Sequence, residues 1–232
     1  MSNRALIVFL KHPEAGKVKT RLAPALGVEI AAALYRVLCE EALRATAPRP
    51  GEYERLVFFA PPEAAESVRA WLPGVPLLPQ LGGDLGARMG AAFARAFDRG
   101  AERVAIVGTD SPAVSRATVS EALDALDEAD VVVGPAEVGG YYLLALGQPR
   151  AKLFEGVAWS TPAVLDETLA RAATGGLRVR QLARLRDIDT WADLRAEWPR
   201  VRALLETHPD LRRQIEARLR EVPERGARTP AS

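Results

Sequence analysis

The sequence predicts an α/β fold: a three-layer α/β/α sandwich on a mostly parallel sheet. Three observations carry this expectation. Short apolar runs recur at residues 5–10, 55–60, 103–108, 130–133 and 141–146. They lack a period of two, as strands buried on both faces do. Segments of helical period separate most of them. Basic, acidic and glycine residues then gather just after the runs, where the strand ends of an open α/β sheet converge on a ligand crevice.

The chain has 232 residues, of which 48% are hydrophobic and 26% charged, enough for a sizeable ordered core. Residues 1–197 are expected to form the principal domain, 198–225 a helical C-terminal extension and 226–232 a disordered tail. A net charge of +1 argues against broad nucleic-acid binding. One cysteine, Cys39, excludes an intrachain disulfide or a cysteine zinc site. The apolar run after Arg4 is too short for a signal peptide, and no stretch has the length of a membrane span. A cytoplasmic protein is expected.

In order, the strand at 5–10 breaks into a loop holding Lys11, Pro13, Gly16, Lys17, Lys19, Thr20 and Arg21. Its four cations make a poor core and a good polyanion cradle, the alternative being a solvated surface loop. It is not a Walker A loop: Gly16-Lys17 is followed by Val18, and Lys11 stands five positions before Gly16. The G-x-G-x-x-G fingerprint is absent too. The cradle would act through side-chain charge, with Gly16 letting backbone N–H groups approach. His12 could touch a phosphate or be an ordinary loop histidine.

Residues 28–46 read as a helix with Ile30, Leu34, Val37 and Leu38 on one face. Pro48, Pro50 and Gly51 mark a turn before the strand at 55–60. A short helix over 61–71 ends at Pro73-Gly74, and 75–80 is a short strand. Residues 80–89 form a glycine-rich turn leading into a helix to about Phe97, with Asp84 as its cap. Arg88 then lies near the first turn, where a cation opposes the helix dipole unless an anion is shared. It is either an anion-binding residue or a solvated arginine.

The strand at 103–108 ends in Thr109-Asp110-Ser111-Pro112. Asp110 either satisfies backbone donors in the turn or ligates magnesium, which takes carboxylate oxygens and shares them with phosphates. Its place at a strand end favours the metal. A helix is expected over 113–129, then strands at 130–133 and 141–146, joined by Gly-Pro-Ala-Glu-Val-Gly-Gly. The adjacent glycines permit close approach, and Tyr141 and Tyr142 offer stacking surface or core packing. Residues 148–156 read as irregular. A helix is expected from Thr161 as N-cap and Pro162 as first residue, ending at Gly175-Gly176. Residues 177–182 alternate as an edge strand. Asp187 and Asp189 alternate in an extended segment, and Thr190 caps a helix containing Asp193. From Pro199 onward the pattern is helical and arginine-rich.

These motifs resemble a bacterial family of GT-A-type, nucleotide-diphospho-sugar transferase-like proteins of the arsenosugar-biosynthesis or radical-SAM/selenodomain-associated kind. The family pattern is K-x-P-x-x-G-x-V-K-T-R-L, G-D-L-G-x-R-M, G-T-D-x-P, G-P-A-x-D-G-G-Y-Y-L, W-S-T and D-x-D-T-x-x-D-L. It falls here on residues 11–22, 83–89, 108–112, 134–143, 159–161 and 187–194. The likeness covers about residues 5–197 and extends to sugar-phosphate and 2-phospholactate nucleotidyltransferases. It implies that Lys11, Lys19 and Arg21 neutralise a diphosphate, in a loop with Gly16 and Thr20, and that Arg88 assists. It implies Mg²⁺ or Mn²⁺ on Asp110, with Asp189 as second ligand. Gly139, Gly140, Tyr141 and Trp159 would line the sugar or acceptor pocket. One departure stands out: Val138 occupies the usually acidic position before Gly-Gly-Tyr-Tyr. Glu137 is then the candidate general base, although in an extended segment it would point the other way.

The expected activity is metal-dependent glycosyl transfer from a nucleoside-diphosphate sugar to a small-molecule acceptor, without nucleic-acid or membrane partners. The alternative is nucleotidyl transfer from an NTP to a phosphorylated small molecule. A non-catalytic nucleotide-binding protein, motivated by Val138, is third.

Overall fold

A computed structural model describes residues 3–221. The chain divides into two compact units, Met1–His12 with Leu38–Ile188, and Pro13–Val37 with Asp189–Ser232.

The first unit is built on β1 (Arg4–Lys11), β2 (Glu54–Ala60), β3 (Leu77–Pro79), β4 (Arg103–Val107), β5 (Val131–Pro135), β6 (Tyr141–Leu146) and β7 (Val179–Gln181). They form one seven-stranded sheet in the order β3-β2-β1-β4-β6-β5-β7. All pairs are parallel except those of β6, which runs antiparallel to β4 and β5. The strands therefore read as continuous apolar runs. Along β1, Ala5 and Ile7 enter one cluster with Phe58, Ile106, Val133 and Leu144. Leu6, Val8 and Leu10 are equally buried on the opposite face. Residues on both faces leave water, as a parallel sheet layered by helices requires.

Helices in chain order are α1 (Ala23–Leu26), α2 (Val28–Ala45), α3 (Ala65–Trp71), α4 (Leu85–Asp98), α5 (Arg116–Ala125) and α6 (Val164–Thr174), then α7 (Trp191–Ala196), α8 (Trp198–Leu204) and α9 (Pro209–Glu221). Helix α4 lays Met89, Ala92, Phe93 and Ala96 into the cluster under β1 and β4. Phe93 stacks on Phe154 at 5.8 Å between centroids, and Phe154 on Trp159 at 6.4 Å. Such offset aromatic pairs add to the stabilisation from burial. They fix the segment around residue 159 against α4.

The expected caps hold at two helices. Asp84 accepts the Ala87 N–H at 2.8 Å, and Thr190 and Asp193 form a reciprocal capping box. Two helices differ from expectation. Helix α5 is shorter than 113–129, because Ser115 and Thr118 make a capping box that starts it at Arg116, and it ends at Ala125. Helix α6 begins at Val164 rather than Pro162. Thr161 closes a turn instead: its hydroxyl donates to the Ala158 carbonyl at 2.7 Å and accepts the Ala163 N–H at 3.3 Å.

The second unit holds the loop from Pro13, α1, residues 28–37 of α2, and α7 to α9. Val18, Leu22, Leu26, Leu34, Leu194, Val201, Leu205 and Ile215 are among its buried apolar residues. The arginines of α8 and α9 pair with neighbouring carboxylates, for example Arg202 with Glu216 at 3.1 Å. Residues 222–225 of the expected extension and the expected tail at 226–232 lie outside the described residues.

Candidate active site

In the first unit the six parallel strands end on one edge of the sheet, and antiparallel β6 begins there. Lys11, Gln80, Gly108–Asp110, Glu137–Gly140 and Tyr141 all follow from that topology. Gln80 is buried after β3, and its Nε2 donates to the carbonyls of Leu10 at 3.1 Å and Phe58 at 3.2 Å. Its Oε1 accepts from Arg88 Nη1 at 3.1 Å. Arg88 also donates from Nε to the Asp84 carbonyl at 3.3 Å.

Asp110 follows β4 with its side chain half-buried. Its carbonyl accepts the Ile188 N–H at 2.8 Å, and the Ser111 hydroxyl donates to the Arg186 carbonyl at 3.0 Å. Below it, the buried Cys39 thiol donates to Thr109 Oγ1 at 3.3 Å. The turn is thus held from two sides. Among the described residues, no three His, Cys, Asp or Glu side chains gather as a metal-holding group. A single hard carboxylate fits Mg²⁺ or Mn²⁺, which keep waters and take substrate phosphate oxygens, better than it fits zinc.

Ala136 bridges to Leu185 in parallel, and residues 137–140 form a bend. The Ala136 N–H reaches the Gly140 carbonyl at 2.9 Å, and the Gly140 N–H the Val138 carbonyl at 2.9 Å. Val138 stands 69% exposed. The adjacent Glu137 is paired: Arg186 grips its Oε2 through Nη2 at 2.6 Å and Nε at 2.7 Å. Both contacts fall on the same carboxylate oxygen.

In the second unit the expected cradle splits by exposure. Lys17, Thr20 and Arg21 are exposed, and Gly16 takes φ +77°, a left-handed turn suited to glycine. Lys19 is different. Its side chain is only 3% exposed and its backbone lies at φ +47°, uncommon for a residue with a side chain. Nζ pairs with Asp189 Oδ1 at 3.0 Å and lies 5.9 Å from the Tyr35 ring centroid. Lys19 and Asp189, expected as a phosphate contact and a metal ligand, hold each other.

With this geometry in place, the comparisons with known proteins decide the family. A family described as uncharacterized protein conserved in bacteria (DUF2064) matches residues 43–161. A crystal structure from Desulfovibrio desulfuricans G20, described as a putative nucleotide-diphospho-sugar transferase, is 34% identical. That match covers 92% of this chain and 98% of that one, with a TM-score of 0.83. The chain belongs to the DUF2064 family. It also shares its α/β fold with Rv0371c from Mycobacterium tuberculosis H37Rv, at 20% identity, 84% and 97% coverage and a TM-score of 0.50. That protein has also been solved with manganese. A CMP:2-keto-3-deoxy-manno-octonic acid synthetase complexed with CTP matches at 16% identity, 88% and 99% coverage and a TM-score of 0.53. No curated protein matches the chain. No helix among the described residues is long and apolar enough to cross a membrane.

In this DUF2064 protein, three of the four residues expected to line a sugar pocket are engaged in packing. A Cβ on Gly139 would lie 2.1 Å from the Pro162 carbonyl oxygen, and its own carbonyl accepts the Leu165 N–H at 2.8 Å. Trp159 lies on Gly86, where an added Cβ would come within 2.5 Å of the indole nitrogen. Tyr141 packs against the core cluster beside Thr168. Gly140 alone has open space at its Cα.

The tyrosines yield a pH prediction. Burial is the main cause that pushes Tyr53 and Tyr142 up to about 12, and Tyr141 further, from the ordinary value of 10.0. The Tyr142 hydroxyl donates to the Ala183 carbonyl at 2.9 Å and that of Tyr53 to the Thr46 carbonyl at 2.8 Å. The fold therefore favours the protonated phenols. Their contribution is complete below the unfolded value near 10 and is lost as pH rises through about 12. Titration at 295 nm should show little tyrosinate from these three before the alkaline unfolding transition. Three phenols ionising near pH 10 in the folded protein would contradict this burial.

Proposed function

We propose that this protein is a divalent-cation-dependent transferase that takes a glycosyl group from a nucleoside-diphosphate sugar. The observation that carries the reading is Asp110. It is a half-buried carboxylate at the end of the central strand β4, on a turn fixed by Ile188, Ser111 and Thr109. Resemblance to the Desulfovibrio protein over nearly the whole chain supports the substrate class.

Asp110 is the residue that would hold Mg²⁺ or Mn²⁺. The bound cation would supply charge stabilisation for a departing diphosphate. Arg88 adds a guanidinium on the same sheet edge, and Lys11, an exposed residue, ends β1 there. Each is worth most where negative charge grows in the transition state. Gly140, with open space at its Cα, lets a substrate approach the backbone. In the second unit, exposed Lys17, Thr20 and Arg21 around Gly16 are proposed as polyphosphate contacts in their own right.

Nucleotidyl transfer is the second reading, and the Glu137–Arg186 pair favours it. A sugar hydroxyl attacking an anomeric carbon needs a base, and Arg186 occupies one of the two carboxylate oxygens of Glu137. A phosphorylated acceptor, with a second pKa of about 6, is already an anionic nucleophile at neutral pH. Product analysis separates the two. Release of nucleoside diphosphate from one nucleotide sugar is the expected result. Pyrophosphate release from an NTP with a phosphorylated acceptor would replace it by the second reading. Nucleotide binding without either product, across a broad acceptor panel, would leave a non-catalytic binding protein.

A further inference from the structure

We propose that Gln80 is a positioning residue for Arg88, and that it fixes the arginine so that one guanidinium edge meets an oxyanion of the nucleotide substrate. The oxyanion half rests on the proposed function. Gln80 is 5% exposed, and every polar group of its side chain is used. Both Nε2 hydrogens go to main-chain carbonyls on adjacent strands, Leu10 of β1 and Phe58 of β2. Those two acceptors settle the amide's orientation, because a flipped amide would set its oxygen against two carbonyl oxygens. The side-chain oxygen must then face Arg88. The Gln80 backbone N–H donates to the Phe59 carbonyl at 2.8 Å, so the residue is held at both ends.

Arg88 is thereby gripped through two of its five N–H donors, by Gln80 and by the Asp84 carbonyl. The other three have no hydrogen-bond partner among the described residues, and the side chain is half-buried. A guanidinium anchored on one side and open on the other is already oriented for two parallel bonds to a phosphate or carboxylate. A loose arginine would have to lose its rotamer freedom on binding. Gln80 removes that freedom beforehand, and it does so from the sheet itself. The glycine-rich turn that precedes α4 takes no part in the grip beyond Asp84.

The test combines ¹⁵N relaxation of the Arg88 Nε–H group with a double-mutant cycle read by pyrophosphate affinity. In the wild type the Arg88 group is expected to be rigid on the nanosecond timescale. In Gln80→Met, which keeps length but lacks the amide, it should become mobile. Gln80→Met is expected to weaken pyrophosphate binding about tenfold in the wild-type background and not at all in Arg88→Met, the coupling expected of residues that act as a unit. Gln80→Asn, one methylene too short, should behave alike and serves if Gln80→Met fails to fold. An Arg88 group equally rigid in the variants overturns the proposal. So does an equal loss of affinity in both backgrounds, which marks a merely structural role. A wild type that binds neither pyrophosphate nor nucleotide sinks the nucleotide reading, while the relaxation result still decides whether Gln80 holds Arg88.

Discussion

Asp110→Asn is expected to lower turnover by about a thousandfold, since a lost cation site removes several kcal/mol of charge stabilisation from the transition state. The substitution keeps the shape of the side chain and removes only its charge. Three contacts that hold the turn do not use that charge: the Asp110 carbonyl accepts from Ile188, the Ser111 hydroxyl donates to the Arg186 carbonyl, and the Cys39 thiol supports Thr109. The melting temperature should therefore move by no more than a few degrees. Raising Mn²⁺ should recover part of the activity, because the defect is one of cation affinity. Steady-state turnover beside a circular-dichroism melt checks both halves. Activity within a factor of about two of the wild type would remove Asp110 from the mechanism.

Gly139→Ala is expected to cost about 3 kcal/mol of stability, combining a left-handed backbone with forced overpacking. Gly139 lies at φ +66°, and an added Cβ would meet the Pro162 carbonyl oxygen at 2.1 Å and its Cα at 2.4 Å. Those neighbours are backbone, so no side-chain rotation relieves them. Gly140→Ala meets nothing within 4 Å and takes no positive φ, so its stability should change little. If Gly140 borders the substrate, its methyl should instead raise KM. Urea denaturation of the pair separates the packing glycine from the open one. Equal stability losses in the two variants would show that the Gly139–Pro162 approach is not what holds this loop.

The sheet was legible because its strands are buried on both faces. Leu6, Ile7, Val8 of β1 and Val104 to Val107 of β4 are apolar at every position, a pattern that parallel strands under two helix layers require. The reversal of β6 was not read, since Tyr-Tyr-Leu-Leu-Ala-Leu carries no direction. A signal existed: only residues 136–140 separate β5 from β6, and a parallel crossover needs about a dozen residues. The position of Asp110 just after β4 was legible from the apolar run before it.

The division of labour within the basic loop was not legible. Lys17 and Lys19 look alike in sequence, yet one is exposed and the other is buried on Asp189. Tertiary burial decides that, and charge alone does not encode it. Gln80 was passed over for the same reason: a glutamine after a three-residue strand gives no sign that its amide will bridge β1, β2 and Arg88. Arg186 was likewise unremarked until its grip on Glu137 was visible.

The most direct test of the account is a thermal-shift panel of nucleoside-diphosphate sugars and NTPs, each with and without Mn²⁺, run on the wild type and on Asp110→Asn. A ligand that binds only the folded state raises its stability by about 2.7 kcal/mol at one hundred times its dissociation constant. The account predicts that one nucleotide sugar shifts the wild type strongly, that the shift requires the cation, and that it disappears in Asp110→Asn. A cation-independent shift of equal size in both proteins, or none with any nucleotide, would contradict a nucleotide site built around Asp110.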